Sequence, residues 1–128
     1  MNFEESLDFE LEQVPRLVGK VYPGFLPGKT APYLVYFSSP GLRTKELGTG
    51  YMQSREVNAT LNVVTSKYID LKSISNAVVD KLVGFQSRVI GNNGPFIQEV
   101  SYEEPKEFYE ELPNLYRCVI EFSVYFEG

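Results

Sequence analysis

The chain has 128 residues, with 12 Lys and Arg against 17 Asp and Glu, no His, no Trp and a single Cys. That length suits one domain spanning 1–128, and 43% hydrophobic residues at a net charge of only -5 is too apolar for a disordered chain. Without His there is no Ser–His–Asp triad, no Cys–His pair and no His-built zinc site, and one Cys forms neither an internal disulfide nor a CxxC motif.

The first dozen residues are acidic, with neither the basic start nor the apolar stretch of a signal peptide. No run approaches the roughly 20 apolar residues of a membrane span, so a soluble, intracellular chain is expected. Phe3, Leu7, Leu11 and Val14 recur at helical spacing, which predicts an amphipathic helix ending near Pro15. Leu17-Val18-Gly19-Lys20-Val21-Tyr22-Pro23 reads as a short extended piece before a turn-rich stretch. Pro32 then opens Tyr33-Leu34-Val35-Tyr36-Phe37-Ser38, apolar at alternate positions on both sides, which predicts a strand covered on both faces.

Residues 39–53 carry three Gly, one Pro and several charges without periodicity, and are expected to form a long functional loop. From Arg55 a strand is predicted with Val57, Ala59, Leu61 and Val63 on its packed face and Glu56, Asn58, Thr60 and Asn62 on the other. A second helix follows over 67–83, capped by Thr65 or Ser66, with Leu71, Ile74, Val78 and Leu82 as its buried stripe and Gly84 at its end. Residues 87–90 and 96–102 flank Gly91-Asn92-Asn93-Gly94-Pro95 as a hairpin. The acidic stretch 103–114 is expected to hold one helical turn after Pro105, and Ser101-Tyr102-Glu103-Glu104 matches a capping box. In the last strand Tyr116, Cys118, Ile120, Phe122, Val124 and Phe126 alternate with more polar neighbours. The expected fold is α+β: a mostly antiparallel sheet of about four to five strands with two helices packed on it, in the order α-β-β-α-β-β. No internal repeat is visible.

The charge is segregated along the chain, with -5 in residues 1–14, +6 in 15–98 and -6 in 99–128. Either folding interleaves the three segments and the asymmetry averages out, or the molecule has an acidic and a basic face able to meet a copy of itself head to tail. Strong non-specific duplex binding is disfavoured by the acidic balance.

Chemistry finds no foothold. Cys118 falls on a buried strand face with no His to activate it, so an inert packed thiol is expected. The acids Glu103, Glu104, Glu107, Glu110 and Glu111 lack the ligand pattern of a calcium loop and read as a solvated segment. Asn58-Ala59-Thr60 is a glycosylation sequon by chance, within a strand. The three glycines Gly41, Gly48 and Gly50 do not have phosphate-loop spacing. The chain is expected not to be an enzyme, with no catalytic, cofactor-binding or metal-binding residue and no cofactor.

The segment Leu17-Val18-Gly19-Lys20-Val21-Tyr22-Pro23, a short Pro/Gly turn, and Ala31-Pro32-Tyr33-Leu34-Val35-Tyr36 together resemble the opening of the tail-completion, or tail-terminator, proteins of long-tailed bacteriophages and prophages. The resemblance continues through the strand over 57–64, the helix over 67–83 and Leu115-Tyr116-Arg117 at the start of the last strand, and covers residues 10–126. It departs where Val63-Val64-Thr65 stands in place of a family Trp and Pro113-Asn114 in place of a frequent Gly.

The resemblance implies a structural virion protein that forms a ring, typically a hexamer, on the head-proximal end of the tail tube. Such a ring ends tube growth and presents the head-joining surface. Its partners would be copies of itself, the tail tube protein and a head-completion or connector protein. Genomic DNA would pass through without sequence-specific binding, and no membrane is involved. The place implied is the virion, at the head–tail junction, after assembly in the bacterial host cytoplasm. The alternative is a head–tail adaptor or small non-enzymatic binding module that docks onto a larger virion assembly. Expected oligomer or tube contacts are Leu42, Arg43, Lys45, Tyr51 and Met52, apolar and basic residues grouped on the long 39–53 segment. Glu103, Glu104, Glu107, Glu110 and Glu111 are the expected lumen or electrostatic contacts.

Overall fold

The computed structural model describes residues 2–24, 30–39, 42–46, 50–111 and 114–127. In chain order its elements are α1 (Phe3–Leu11), β1 (Val21–Pro23), β2 (Tyr33–Ser38), β3 (Leu42–Glu46), β4 (Gly50–Thr65), α2 (Tyr68–Val83), β5 (Arg88–Val89), β6 (Phe96–Tyr102), β7 (Lys106–Glu110) and β8 (Leu115–Glu127). The two long strands form the spine. They pair antiparallel from Ser54↔Glu127 to Thr65↔Tyr116, because each offers an unbroken apolar alternation that the other can face.

Each spine strand is flanked on its outer side by two short strands laid end to end. Along β4 these are β2, paired with 59–64, and β3, paired with 50–56. Along β8 they are β6, paired with 122–126, and β7, paired with 115–119. β1 lies parallel to β2 and β5 antiparallel to β6, which gives the main path β1-β2-β4-β8-β6-β5. The chain therefore states one plan twice: a helix, a short edge strand, two tandem strands, and the long strand that both of them pair with.

Val57, Ala59, Leu61 and Val63 of β4 and Cys118, Ile120, Phe122, Val124 and Phe126 of β8 form one face of the spine. They share a single core with Leu7 and Leu11 of α1 and Leu71, Ile74, Val78 and Leu82 of α2. Both helices thus sit on one side of the sheet, where burying leucine- and isoleucine-sized side chains stabilises by roughly 1.5–3 kcal/mol each. The helix stripes, both alternations and the hairpin at 87–102 are as the sequence predicts. Among the described residues no helix is long and apolar enough to cross a membrane.

The structure corrects several expectations. The fold is α+β, but among the described residues the sheet is mixed, has eight strands and follows the order α-β-β-β-β-α-β-β-β-β. Instead of an irregular loop over 39–53, the described residues 42–46 and 50–53 form β3 and the start of β4. In place of a helical turn after Pro105 stands β7, and the match at Ser101 caps no helix because Ser101 and Tyr102 close β6. Both new strands are charged and lack an apolar face, as edge strands commonly do, and each takes its hydrogen bonds from the next strand in the chain. α1 ends at Leu11, short of Pro15, although Val14 remains buried. The N-cap of α2 is Lys67 without a side-chain bond, while the Thr65 hydroxyl donates to the Lys67 carbonyl at 2.7 Å. In β2 the residues Leu34, Val35 and Tyr36 are buried but Phe37 is 49% exposed, so only part of that strand is covered on both sides.

Candidate assembly surfaces

The five expected contact residues Leu42, Arg43, Lys45, Tyr51 and Met52 all fall on one hairpin. β3 and β4 face each other through Leu42↔Glu56, Arg43↔Arg55, Lys45↔Tyr51 and Glu46↔Gly50, with a register shift between Arg43 and Lys45. The ladder between β4 and β8 begins only at Ser54. Among the described residues, 50–53 therefore have β3 as their only strand partner. The hairpin projects past the spine as a two-stranded arm.

The acidic segment lies diagonally opposite. β7 runs along the first half of β8, on the side away from β4. Strand alternation sends its carboxylates to different faces of the sheet. Glu107 turns to α2, accepting from Lys72 Nζ at 2.8 Å and from the Tyr68 hydroxyl at 3.3 Å. Glu110 pairs instead with Arg117 at 2.9 Å. Among the described residues no three acidic or cysteine side chains converge on a common point, the five glutamates included. None of the ion pairs of the described residues reaches Glu103, Glu104 or Glu111, all exposed. On the outward strand itself, Phe108 and Tyr109 are each 51% exposed.

The three charge segments are largely interleaved by the fold. Lys72 of the basic segment meets Glu107 of the acidic carboxyl-terminal one, and Lys81 and Arg88 meet Glu10 of the acidic amino-terminal one. Glu10 is one of four acids on α1, yet its side chain is 4% exposed. Its carboxylate takes Arg88 at 2.5 Å, Lys81 at 3.3 Å and the Gly91 N–H at 2.8 Å. Burial pushes its pKa up, but the Arg88 hydrogen bond, the Gly91 N–H and the two cations outweigh this and hold it below 4.5. A signal was present in the sequence: Glu10 stands three residues after Leu7, within the buried stripe of the helix.

The Gly91-Asn92-Asn93-Gly94 turn comes against α1 at the same place. A Cβ at either Gly91 or Gly94 would overlap Ser6, which is fully buried, and Gly91 has φ +67°. The exposed side of α1 forms a shallow groove with Glu4, Glu5, Asp8, Phe9 and Glu12, closed by Pro23 and Tyr36. The Tyr36 hydroxyl donates to Asp8 at 3.1 Å, and burial followed by the neighbouring carboxylates pushes its pKa far up, so it stays a donor. Cys118 is 1% exposed and burial pushes its thiol pKa up, the setting of an unreactive core residue.

The fold is similar to that of a chain in the solved structure titled "Virion of native gene transfer agent (GTA) particle", with a TM-score of 0.63. The match covers 98% of this chain and 99% of that chain at 21% sequence identity, a likeness of fold. No protein-family model matches the sequence, and no curated protein matches it.

Proposed function

We propose that the protein is a structural component of a phage-like virion, forming a ring on the head-proximal end of the tail tube. There it ends tube growth and presents the surface that joins the filled head. The observation that carries this reading is the end-to-end fold likeness to a chain of a gene transfer agent particle. The order and spacing of Leu17–Pro23, Ala31–Tyr36 and the later elements, resembling tail-terminator proteins, support the same reading. The role is mechanical rather than catalytic, with further copies, the tail tube and a head-completion or connector protein as partners. A net charge of -5 suits a conduit that lets DNA pass without holding it.

Electron microscopy and light scattering of the purified protein, alone and with tail tubes, test the reading. Rings capping one end of each tube are expected. A protein that stays monomeric at high concentration and never caps a tube would sink it. The second reading, an adaptor that docks singly, draws on the projecting β3–β4 arm as a docking element. A one-to-one complex with a connector protein, in place of a ring, would select it.

A further inference from the structure

We propose that neighbouring copies join by strand addition: the outer edge of β3 of one copy pairs antiparallel with the outer edge of β7 of the next. The proposal rests on the ring reading above and specifies how the ring is held. Among the described residues, β3 pairs only with β4 and β7 only with β8, so each leaves one row of backbone N–H and C=O groups without a strand partner. Both strands are five residues long. They lie on opposite sides of the spine and at opposite ends of it. β3 and β7 also run in opposite senses, since β3 is antiparallel to β4, β4 to β8 and β8 to β7. Copies related by rotation therefore bring the two edges together antiparallel, with the stagger that a closing sheet requires.

The charges select this pairing. β3 carries Arg43 and Lys45 against Glu46, whereas β7 carries Glu107 and Glu110 against Lys106 and is flanked by the exposed Glu103, Glu104 and Glu111. Meeting of two β3 edges or of two β7 edges sets like charges against each other, while meeting of unlike edges sets bases against acids. An interface between two different patches is heterologous, and a heterologous contact whose rotation closes makes a ring. The arm gains most from it, because a two-stranded ribbon is marginal by itself and a third strand supports it. Phe108 and Tyr109, half-exposed on β7, are covered in the same step.

Two variants test the proposal. The first carries Arg43→Glu and Lys45→Glu, leaving both of its edges acidic. The second carries Glu103→Lys, Glu104→Lys and Glu111→Lys, leaving both of its edges basic. Circular dichroism checks that each folds, and sedimentation velocity over a concentration series reads assembly. Each variant alone is expected to need about tenfold more protein to assemble than the wild type. An equimolar mixture is expected to recover wild-type assembly, because acidic β3 then meets basic β7 and basic β3 meets acidic β7 around the ring. Rings that form at the wild-type concentration from either variant alone, or failure of the mixture to recover, overturn edge pairing and leave the ring reading standing. A wild type that forms no ring alone or on tail tubes overturns both.

Discussion

The two halves of the molecule end in hairpins of one design and of unequal support. In the β7–β8 hairpin the long strand is also paired with β4, so the hairpin is part of a wider sheet. Its edge is fastened to α2 through Glu107 with Lys72 and Tyr68, and its rings meet in a row, Tyr109 tilted against Tyr116 at 4.8 Å and Tyr116 edge-on to Tyr68 at 5.7 Å. The Tyr109 hydroxyl also bonds the Asn114 side chain across the turn. The distal β3–β4 hairpin has no third strand among the described residues. Pairing is unbroken in β7–β8 and shifts register between Arg43 and Lys45 in β3–β4. What also differs is the third strand: β8 has β4 on its side away from β7, whereas residues 50–53 have only β3 among the described residues.

Hydrogen exchange gives the largest test of this contrast. Amides of 42–46 and 50–53 should exchange in the free protein several orders of magnitude faster than those of the central β8 residues. On assembly they should slow towards the β8 rates. Equal protection of the two hairpins in the free protein would erase the distinction.

The joint that holds the two halves together comes next. Glu10→Ala removes the anion shared by Lys81, Arg88 and the Gly91 N–H, while the two cations, 24% and 41% exposed, keep access to water. A loss of about 2 kcal/mol is expected in denaturant unfolding. The pKa of Glu10 is lowered on folding, so its contribution is complete above 4.5 and is lost as the pH falls through the lower, folded value. Melting measured from about pH 7 to about pH 3 should fall more steeply for the wild type than for Glu10→Gln. Parallel curves would show that the carboxylate is not the acid-sensitive joint.

Gly94→Ala should cost about 1–3 kcal/mol, since the added methyl meets the buried Ser6 side chain and the Ile90 carbonyl, and that backbone carbonyl does not give way easily. Thermal unfolding checks it, and an unchanged midpoint would mean that the turn is looser against α1 than described. The smallest effect belongs to the fastening of β7. Glu107→Gln should cost at most about 1 kcal/mol, because Lys72 is half-exposed and solvent screens the pair. A much larger loss would make that ion pair, rather than the tyrosine row and strand ladder, the support of the second hairpin.

The two long strands and α2 were legible because their signal is local. Val57 to Val63 and Cys118 to Phe126 alternate with the two-residue period of a pleat, and Leu71, Ile74, Val78 and Leu82 follow the helical period. Both hairpin edge strands were missed for the opposite reason. Leu42–Glu46 and Lys106–Glu110 mix charges with isolated apolar residues, and their pairing residues lie on other strands. Among the candidate contacts, the sequence grouped Leu42, Arg43, Lys45, Tyr51 and Met52 as a loop, where the structure has the β3–β4 hairpin. It also grouped five glutamates that the strand divides, with Glu107 turned to α2 and Glu110 to Arg117.

By itself, then, the sequence determined which residues face the core, because burial of apolar side chains writes a period of two or of about 3.6 into adjacent positions. It also determined that charge is unevenly distributed along the chain. Only the tertiary structure decided that Glu10 is a buried joint, that two charged segments are strands, and that the basic and acidic edges stand at opposite corners of one sheet. Those outcomes depend on hairpin pairing between charged strands and on contacts between residues far apart in the chain, Glu10 with Arg88 and β4 with β8. No local period records such partners.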